Sequence, residues 1–134
     1  MVRRRRQEPQ GIKIPWNWIA TAFAAIILFW LLLSPPRWWT NILRGVNLDD
    51  PVATGAELVD QYDCRGCHYL GSYGGFIGPD LRGVTLRLDE ETLYTWLRDP
   101  DSVGGPTSMP DYGLSDSEIK AITAYLQDQD GTLP

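Results

Sequence analysis

The chain has 134 residues and a formal net charge of −5, enough length for one small domain with appendages. A single histidine and two cysteines leave nothing for a disulfide framework or a multi-histidine active site. The charge is unevenly divided: residues 1–44 carry a net +6 and residues 45–134 a net −11. A basic head and an acidic body read as a membrane-oriented anchor followed by an exported domain.

In chain order, residues 1–13 form a basic tail containing Arg3, Arg4, Arg5 and Arg6. No charged residue stands between Lys13 and Arg37. Residues 14–36 are therefore expected as a transmembrane helix, since about 20 apolar residues cross ~30 Å of hydrocarbon. Trp16 and Trp18 at one end, and Trp38 and Trp39 at the other, suit the interfacial aromatic belts. The polar Asn17 and Thr21 lie near the start of the run. A cleaved secretory signal has a similar basic and apolar start. However, Leu33 is followed by Ser34-Pro35-Pro36-Arg37 instead of a small-x-small cleavage site, and the run is long for a signal. A buried soluble helix fits poorly, because the segment is apolar all round and the remaining domain is too small to envelop it. The expectation is an uncleaved single-pass anchor in the cell membrane. The positive-inside rule puts its N-terminus in the cytoplasm and the rest on the periplasmic or extracellular side.

Residues 37–52 read as a membrane-proximal linker, with Asn47, Asp49, Asp50 and Pro51 as turn formers. Trp38 and Trp39 fit either a docking surface or an interfacial belt. Residues 53–130 show three helix signatures. Thr54-Gly55-Ala56-Glu57 reads as a capping box opening a helix with Leu58 and Tyr62, running into Cys64. Leu88-Asp89 opens a second helix, with Leu93, Trp96 and Leu97 on one face and Pro100 closing it. Ser115-Asp116-Ser117-Glu118 is another capping box. Leu114 and Ile119 form its staple, and Ile122, Tyr125 and Leu126 continue the stripe. No alternating strand is evident, so the domain is expected to be all-α, with 131–134 as a tail. A loop containing Gly71, Gly74, Gly75 and Gly78 lies between the first two helices. It is not a nucleotide loop, because no strand precedes it and no G-K-[ST] follows.

Within this domain stands Cys64-Arg65-Gly66-Cys67-His68, the spacing of a c-type haem attachment site. A helical turn places both thiols on one side, where they add to the two vinyl groups of one porphyrin, and His68 projects at the iron as proximal ligand. A redox dithiol normally follows a strand in a βαβ pattern, which is lacking here. A zinc site needs four ligands, and no second pair exists to complete it. One covalent haem c is expected. Haem c attachment takes place outside the cytoplasmic membrane in bacteria, in agreement with the charge-based orientation. A domain of about 80 residues without disulfides has a thin core, so a buried porphyrin is expected to belong to the fold itself.

Iron needs a sixth ligand or an open site. His68 and both cysteines are used, and Met1 falls on the cytoplasmic side. Met109 is the remaining donor by elimination. Its loop, Gly105-Pro106-Thr107-Ser108-Met109-Pro110, is stiffened by two prolines.

Gly55 and the first helix, C-R-G-C-H, Gly78-Pro79-Asp80-Leu81, Trp96-Leu97-Arg98-Asp99-Pro100, Ser108-Met109-Pro110 and the final L-S-D-S-E-I…A-Y-L helix come in this order. Across nearly all of residues 53–128 the chain resembles the class I c-type cytochromes, small all-helical domains wrapped around one haem. The resemblance implies that the carbonyl of Pro79 accepts a hydrogen bond from the ring nitrogen of His68 distal to iron, fixing its tautomer. The N-terminal span departs from soluble members. It makes the chain similar to the membrane-anchored monohaem cytochromes of respiratory or photosynthetic chains, including small subunits of larger oxidoreductases.

The expected function is electron transfer, as a carrier and not an enzyme in its own right. His68 and Met109 would fill both axial positions, leaving no site for substrate. Expected partners are the membrane and other electron-transfer proteins, such as a quinol-oxidising complex, a terminal oxidase or a reaction centre, and not nucleic acid. Ala20, Ala22, Ala24 and Ala25 offer a small-residue face for packing against other helices, which favours a subunit of a complex over a free-standing tethered shuttle. A haem sensor with a labile Met109 is the reading from another class. A peroxidase is disfavoured because no distal histidine is available.

Overall fold

The computed structural model describes residues 15–34 and 36–131, so the basic tail lies outside the described residues. The chain divides into two compact units, before and after the Pro35–Pro36 bond.

The first unit holds one helix, α1 (Trp16–Leu33), with no buried residue. Eighteen residues at 1.5 Å each give about 27 Å, close to the hydrocarbon thickness. Its length and composition suffice to cross a membrane. Thr21 donates its hydroxyl to the Asn17 carbonyl at 2.7 Å, so this polar group is satisfied within the helix.

The second unit is mostly helical: α2 (Arg37–Leu43), α3 (Pro51–Gln61), α4 (Cys64–Cys67), α5 (Val84–Arg87), α6 (Glu90–Arg98), α7 (Pro100–Gly104) and α8 (Asp116–Gln129). Between α4 and α5, β1 (Tyr69–Leu70) and β2 (Tyr73–Gly74) pair antiparallel. This minimal hairpin corrects the expectation of no strand. Two residues per strand are too few to show alternation in sequence.

The core is formed by Leu58 and Val59 of α3, Leu70, Val84, Leu93, and Ile119, Ala121, Ile122, Tyr125 and Leu126 of α8. α3 crosses α8 at Gly55. A Cβ there would run into the Ala121 carbonyl oxygen and stand 2.7 Å from Tyr125 Cβ. Only glycine permits this approach of the two backbones.

α8 starts as its sequence indicates. The Ser115 hydroxyl accepts from Glu118 N, and Glu118 Oε2 accepts from Ser115 N at 2.7 Å. α6 is capped by Asp89, which accepts from Thr92 N at 2.7 Å. Pro100 closes α6 and occupies the first turn of α7, a position where its missing N–H is not needed.

α3 differs from expectation at both ends. It begins at Pro51, with Asp50 accepting from Ala53 N at 3.0 Å, so Asp50 and Pro51 start a helix where turn formers were expected. Asp is a strong N-cap and Pro suits N1, and this pair outcompetes the Thr54 box. Thr54 instead donates its hydroxyl to the Asn47 carbonyl at 3.3 Å. The helix stops before Cys64, because Asp63 adopts a left-handed conformation (φ 50°). The attachment motif is thus a separate turn.

The segment expected as a linker contains α2, which is fastened to the domain. Asn41 donates to Asp116 Oδ2 at 2.8 Å and accepts from Asp116 N at 3.0 Å. Arg44 donates to the carbonyls of Tyr112 and Gly113, each at 3.1 Å. These partners lie some 70 residues downstream, beyond the reach of local sequence patterns.

Candidate haem site

α4 is one helical turn, and it brings Cys64, Cys67 and the following His68 to the wall of a single cavity of ≈ 490 Å³. The loop after α7 delivers Met109 to the same cavity. Much of the remaining lining is apolar and includes Val59, Leu70, Leu93, Trp96 and Ile122. Sequence separates His68 from Met109 by about 40 residues, and the packing of α6, α7 and α8 brings them together.

The imidazole is oriented by the loop that follows the hairpin, whose Gly78 and Pro79 also line the cavity. Nδ1 of His68 lies 2.8 Å from the Pro79 carbonyl oxygen. A carbonyl only accepts, so Nδ1 carries the proton and the Nε2 lone pair is left for a metal. Gly78 packs against the ring, where a Cβ would stand 2.5 Å from Cε1 and 2.7 Å from Nδ1. The glycine-rich loop therefore clamps the attachment turn with its own backbone. Gly75 N donates to the Arg65 carbonyl at 2.8 Å, Gly78 N to the Cys67 carbonyl at 2.9 Å and Leu81 N to the Tyr69 carbonyl at 2.9 Å.

Met109 is held by a short chain of bonds. Asp101 at the start of α7 accepts from Thr107 N at 2.9 Å. The Thr107 hydroxyl accepts from Met109 N at 3.2 Å and donates to the Met109 carbonyl at 3.3 Å.

Burial pushes the Cys64 thiol up to about 11. A thiol kept protonated at neutral pH is a poor participant in disulfide exchange, which counts against a redox dithiol. The donor set fits a haem c instead. Two cysteines for thioether bonds, a histidine with a fixed tautomer and a methionine all line one largely apolar cavity. The gap left by the absent Gly78 side chain makes room for the ring.

Three contributors went unnoticed in the sequence. Arg65, inside the motif, donates to the Leu70 carbonyl at 2.5 Å and to the Tyr125 hydroxyl at 2.6 Å, and its guanidinium lies 4.4 Å from the Tyr73 ring centroid. It ties the attachment turn to β1 and α8. Arg87 lines the cavity and donates to the carbonyls of Arg82 and Asp80 at 2.6 and 2.9 Å. Tyr112 lines the cavity and packs on Tyr62, with ring centroids 5.4 Å apart. Nothing near Arg87 or Tyr112 in sequence signals these roles. The position of Arg65 between the two cysteines was the available clue.

An all-α domain with a C-x-x-C-H turn and a histidine and a methionine facing one apolar cavity is that of a class I c-type cytochrome, and α1 marks it as a membrane-anchored one. Residues 50–126, more than half of the chain, match the family described as cytochrome c oxidase, cbb3-type, subunit III, and the chain belongs to that family. Covalently bound haem c is the cofactor of this domain. The chain is 29% identical over 87 residues to a nitric oxide reductase subunit of Stutzerimonas stutzeri, covering 60% of each. It is 28% identical over 96 residues to the corresponding protein of Paracoccus denitrificans, covering 65% of this chain and 64% of that one. It is also 29% identical over 96 residues to cytochrome c oxidase subunit 2 of Alkalihalophilus pseudofirmus, covering 62% of this chain and 28% of that protein. The chain thus spans less than two thirds of the length of these relatives.

Proposed function

We propose that the protein is the electron-carrying cytochrome subunit of a membrane oxidoreductase, with its haem on the outer face of the membrane. Cys64 and Cys67 would hold the haem covalently, and His68 through Nε2 and Met109 through sulfur would supply the protein ligands to its iron. When bound, the haem supplies a one-electron Fe(II)/Fe(III) couple. Every other element of the function belongs to the protein. Pro79 and Gly78 fix the His68 ring, Asp101 and Thr107 hold the Met109 loop, and the apolar lining keeps water from the cavity. With both His68 and Met109 on the iron, small ligands would be excluded and electron transfer would be the chemistry left. The anchor confines the domain to a thin layer beside its partners, raising effective concentration.

The observation that carries this reading is the convergence of Cys64, Cys67, His68 and Met109 on one cavity. The relatives named as subunits of nitric oxide reductase and cytochrome c oxidase support membership of a complex. Gentle detergent purification from native membranes tests it. Co-migration with other redox subunits is the expected result, and a lone haem protein would leave a free-standing shuttle instead. Protease added to intact spheroplasts should remove the haem domain; its protection would place it on the cytoplasmic side.

A further inference from the structure

α2 is built inside out. Arg37, Asn41 and Arg44 fall on one face at helical spacing, and that polar face is turned into the domain. Arg37 Nη2 donates to the Leu114 carbonyl at 3.1 Å, Asn41 exchanges hydrogen bonds with Asp116, and Arg44 reaches Tyr112, Gly113 and the Tyr62 hydroxyl. The opposite face is apolar and open. Trp38 is 60% exposed, Ile42 72% and Leu43 68%, with Trp39 tilted against Trp38 at 5.7 Å between centroids. A surface helix in water does the reverse, burying its apolar stripe and solvating its polar one. An exposed cluster of one indole and two aliphatic side chains, backed by the half-buried Trp39, marks a binding surface.

The chain itself points to the occupant. Only Ser34, Pro35 and Pro36 separate α2 from the end of α1. Three extended residues span at most about 11 Å. If α1 crosses the bilayer, α2 starts within about 11 Å of the hydrocarbon edge, at or beside the headgroup region, where tryptophan is enriched and an amphipathic helix buries its apolar face.

We infer that α2 is an interfacial helix whose Trp38, Ile42 and Leu43 face inserts into the lipid headgroup–acyl boundary, while its Arg37, Asn41 and Arg44 face grips the haem domain. The partner is the lipid surface. The consequence is orientation as well as tethering. The grip on residues 112–116, just beyond Met109, holds the domain in a set attitude to the membrane, where a flexible linker would let it tumble. The inference goes beyond the electron-carrier reading and rests only on α1 being a membrane span.

Spin-label accessibility tests it. The full-length holoprotein, with its two native cysteines carrying the haem and the haem reduced, is labelled at Ile42→Cys or Leu43→Cys. It is placed in nanodiscs of phosphatidylcholine and phosphatidylglycerol. Collisions are measured with oxygen, which partitions into lipid, and with a neutral nickel chelate, which stays in water. Ile27→Cys in α1 and Glu57→Cys on the exposed side of α3 are references. The expected oxygen-to-nickel ratio at 42 and 43 is several-fold above that at 57. A lipid-like ratio at 27 with a water-like ratio at 42 and 43 overturns the inference and leaves the anchor intact. Protection from both reagents at 42 and 43, the signature of burial in protein, also overturns it. A water-like ratio at 27 removes the membrane anchor and the inference together.

Discussion

Tyr62 donates its hydroxyl to Glu118 Oε1 across 2.6 Å, joining the end of α3 to the first turn of α8 immediately before the haem attachment turn. Arg44 donates to the same phenol oxygen at 2.6 Å. Glu118 is 3% exposed, and its other oxygen caps α8. Burial and the bond to Glu118 push the Tyr62 hydroxyl up to about 12, so it remains a donor at every physiological pH.

Tyr62→Phe keeps the ring against Tyr112 and removes the phenol oxygen's two bonds, to Glu118 and from Arg44. A buried carboxylate that loses one partner costs about 1–3 kcal/mol. Denaturant unfolding of the holoprotein should show that loss with the haem spectrum retained. A change below the error of the measurement would mean that water replaces the phenol at Glu118.

Met109→Ala should leave the haem covalently attached and open the sixth position. The far-red band of methionine-ligated Fe(III) should disappear, the reduction potential should fall and carbon monoxide should bind readily. An unchanged spectrum would show that the iron takes another ligand.

Gly78→Ala tests the support of His68. The new methyl would meet the imidazole at 2.5 Å, so the ring or the loop must shift and the bond to Pro79 must lengthen. Overpacking of this kind costs about 1–3 kcal/mol. Altered axial-ligand signals in the paramagnetic proton spectrum should accompany the loss. Wild-type stability and ring signals together would show that the loop yields freely.

The grip of α2 should be acid-sensitive. The Asp116 carboxyl is held below its ordinary range by the hydrogen bond from Tyr94, and further by Asn41, Arg98 and Arg37. A depressed folded value means that the stabilisation is present above the unfolded value of about 3.9 and is lost as pH falls through it toward the folded value. Because the side chain is 43% exposed, screening limits the effect to at most about 1 kcal/mol. Hydrogen exchange across residues 37–44 should speed up below about pH 4 relative to the core of α8. Asp116→Asn should remove that pH dependence.

Residues whose signals are local were legible in the sequence. The α8 capping box, the Asp89 cap, the stripe from Ile119 to Leu126 and the C-x-x-C-H turn depend on neighbours three or four positions away, and patterns at that range survive in any tertiary setting. The uncharged run of α1 is local in the same sense. The start of α3 was misplaced because two capping signals compete within five residues, Asp50-Pro51 against Thr54, and the stronger N-cap with Pro at N1 prevails.

Long-range contacts decided the rest. α2 reads as a linker until Asp116, Tyr112 and Gly113 arrive from some 70 residues away to satisfy its polar face. The glycines of the loop read only as a connection that is not a nucleotide loop until the backbone of the attachment turn is seen lying against them. The sequence by itself determined that a haem c attachment motif stands at Cys64-Arg65-Gly66-Cys67-His68, which residues were available to ligate a haem, and that an apolar span long enough to cross a membrane precedes the domain. Those follow from residue chemistry and the small number of candidates. Only the tertiary structure decided that Met109 and His68 line one cavity, that Gly55 sets the crossing of α3 and α8, and that α2 presents its apolar face outward. Each depends on elements distant in sequence being packed together, and no local free-energy preference encodes which distant partner a side chain will meet.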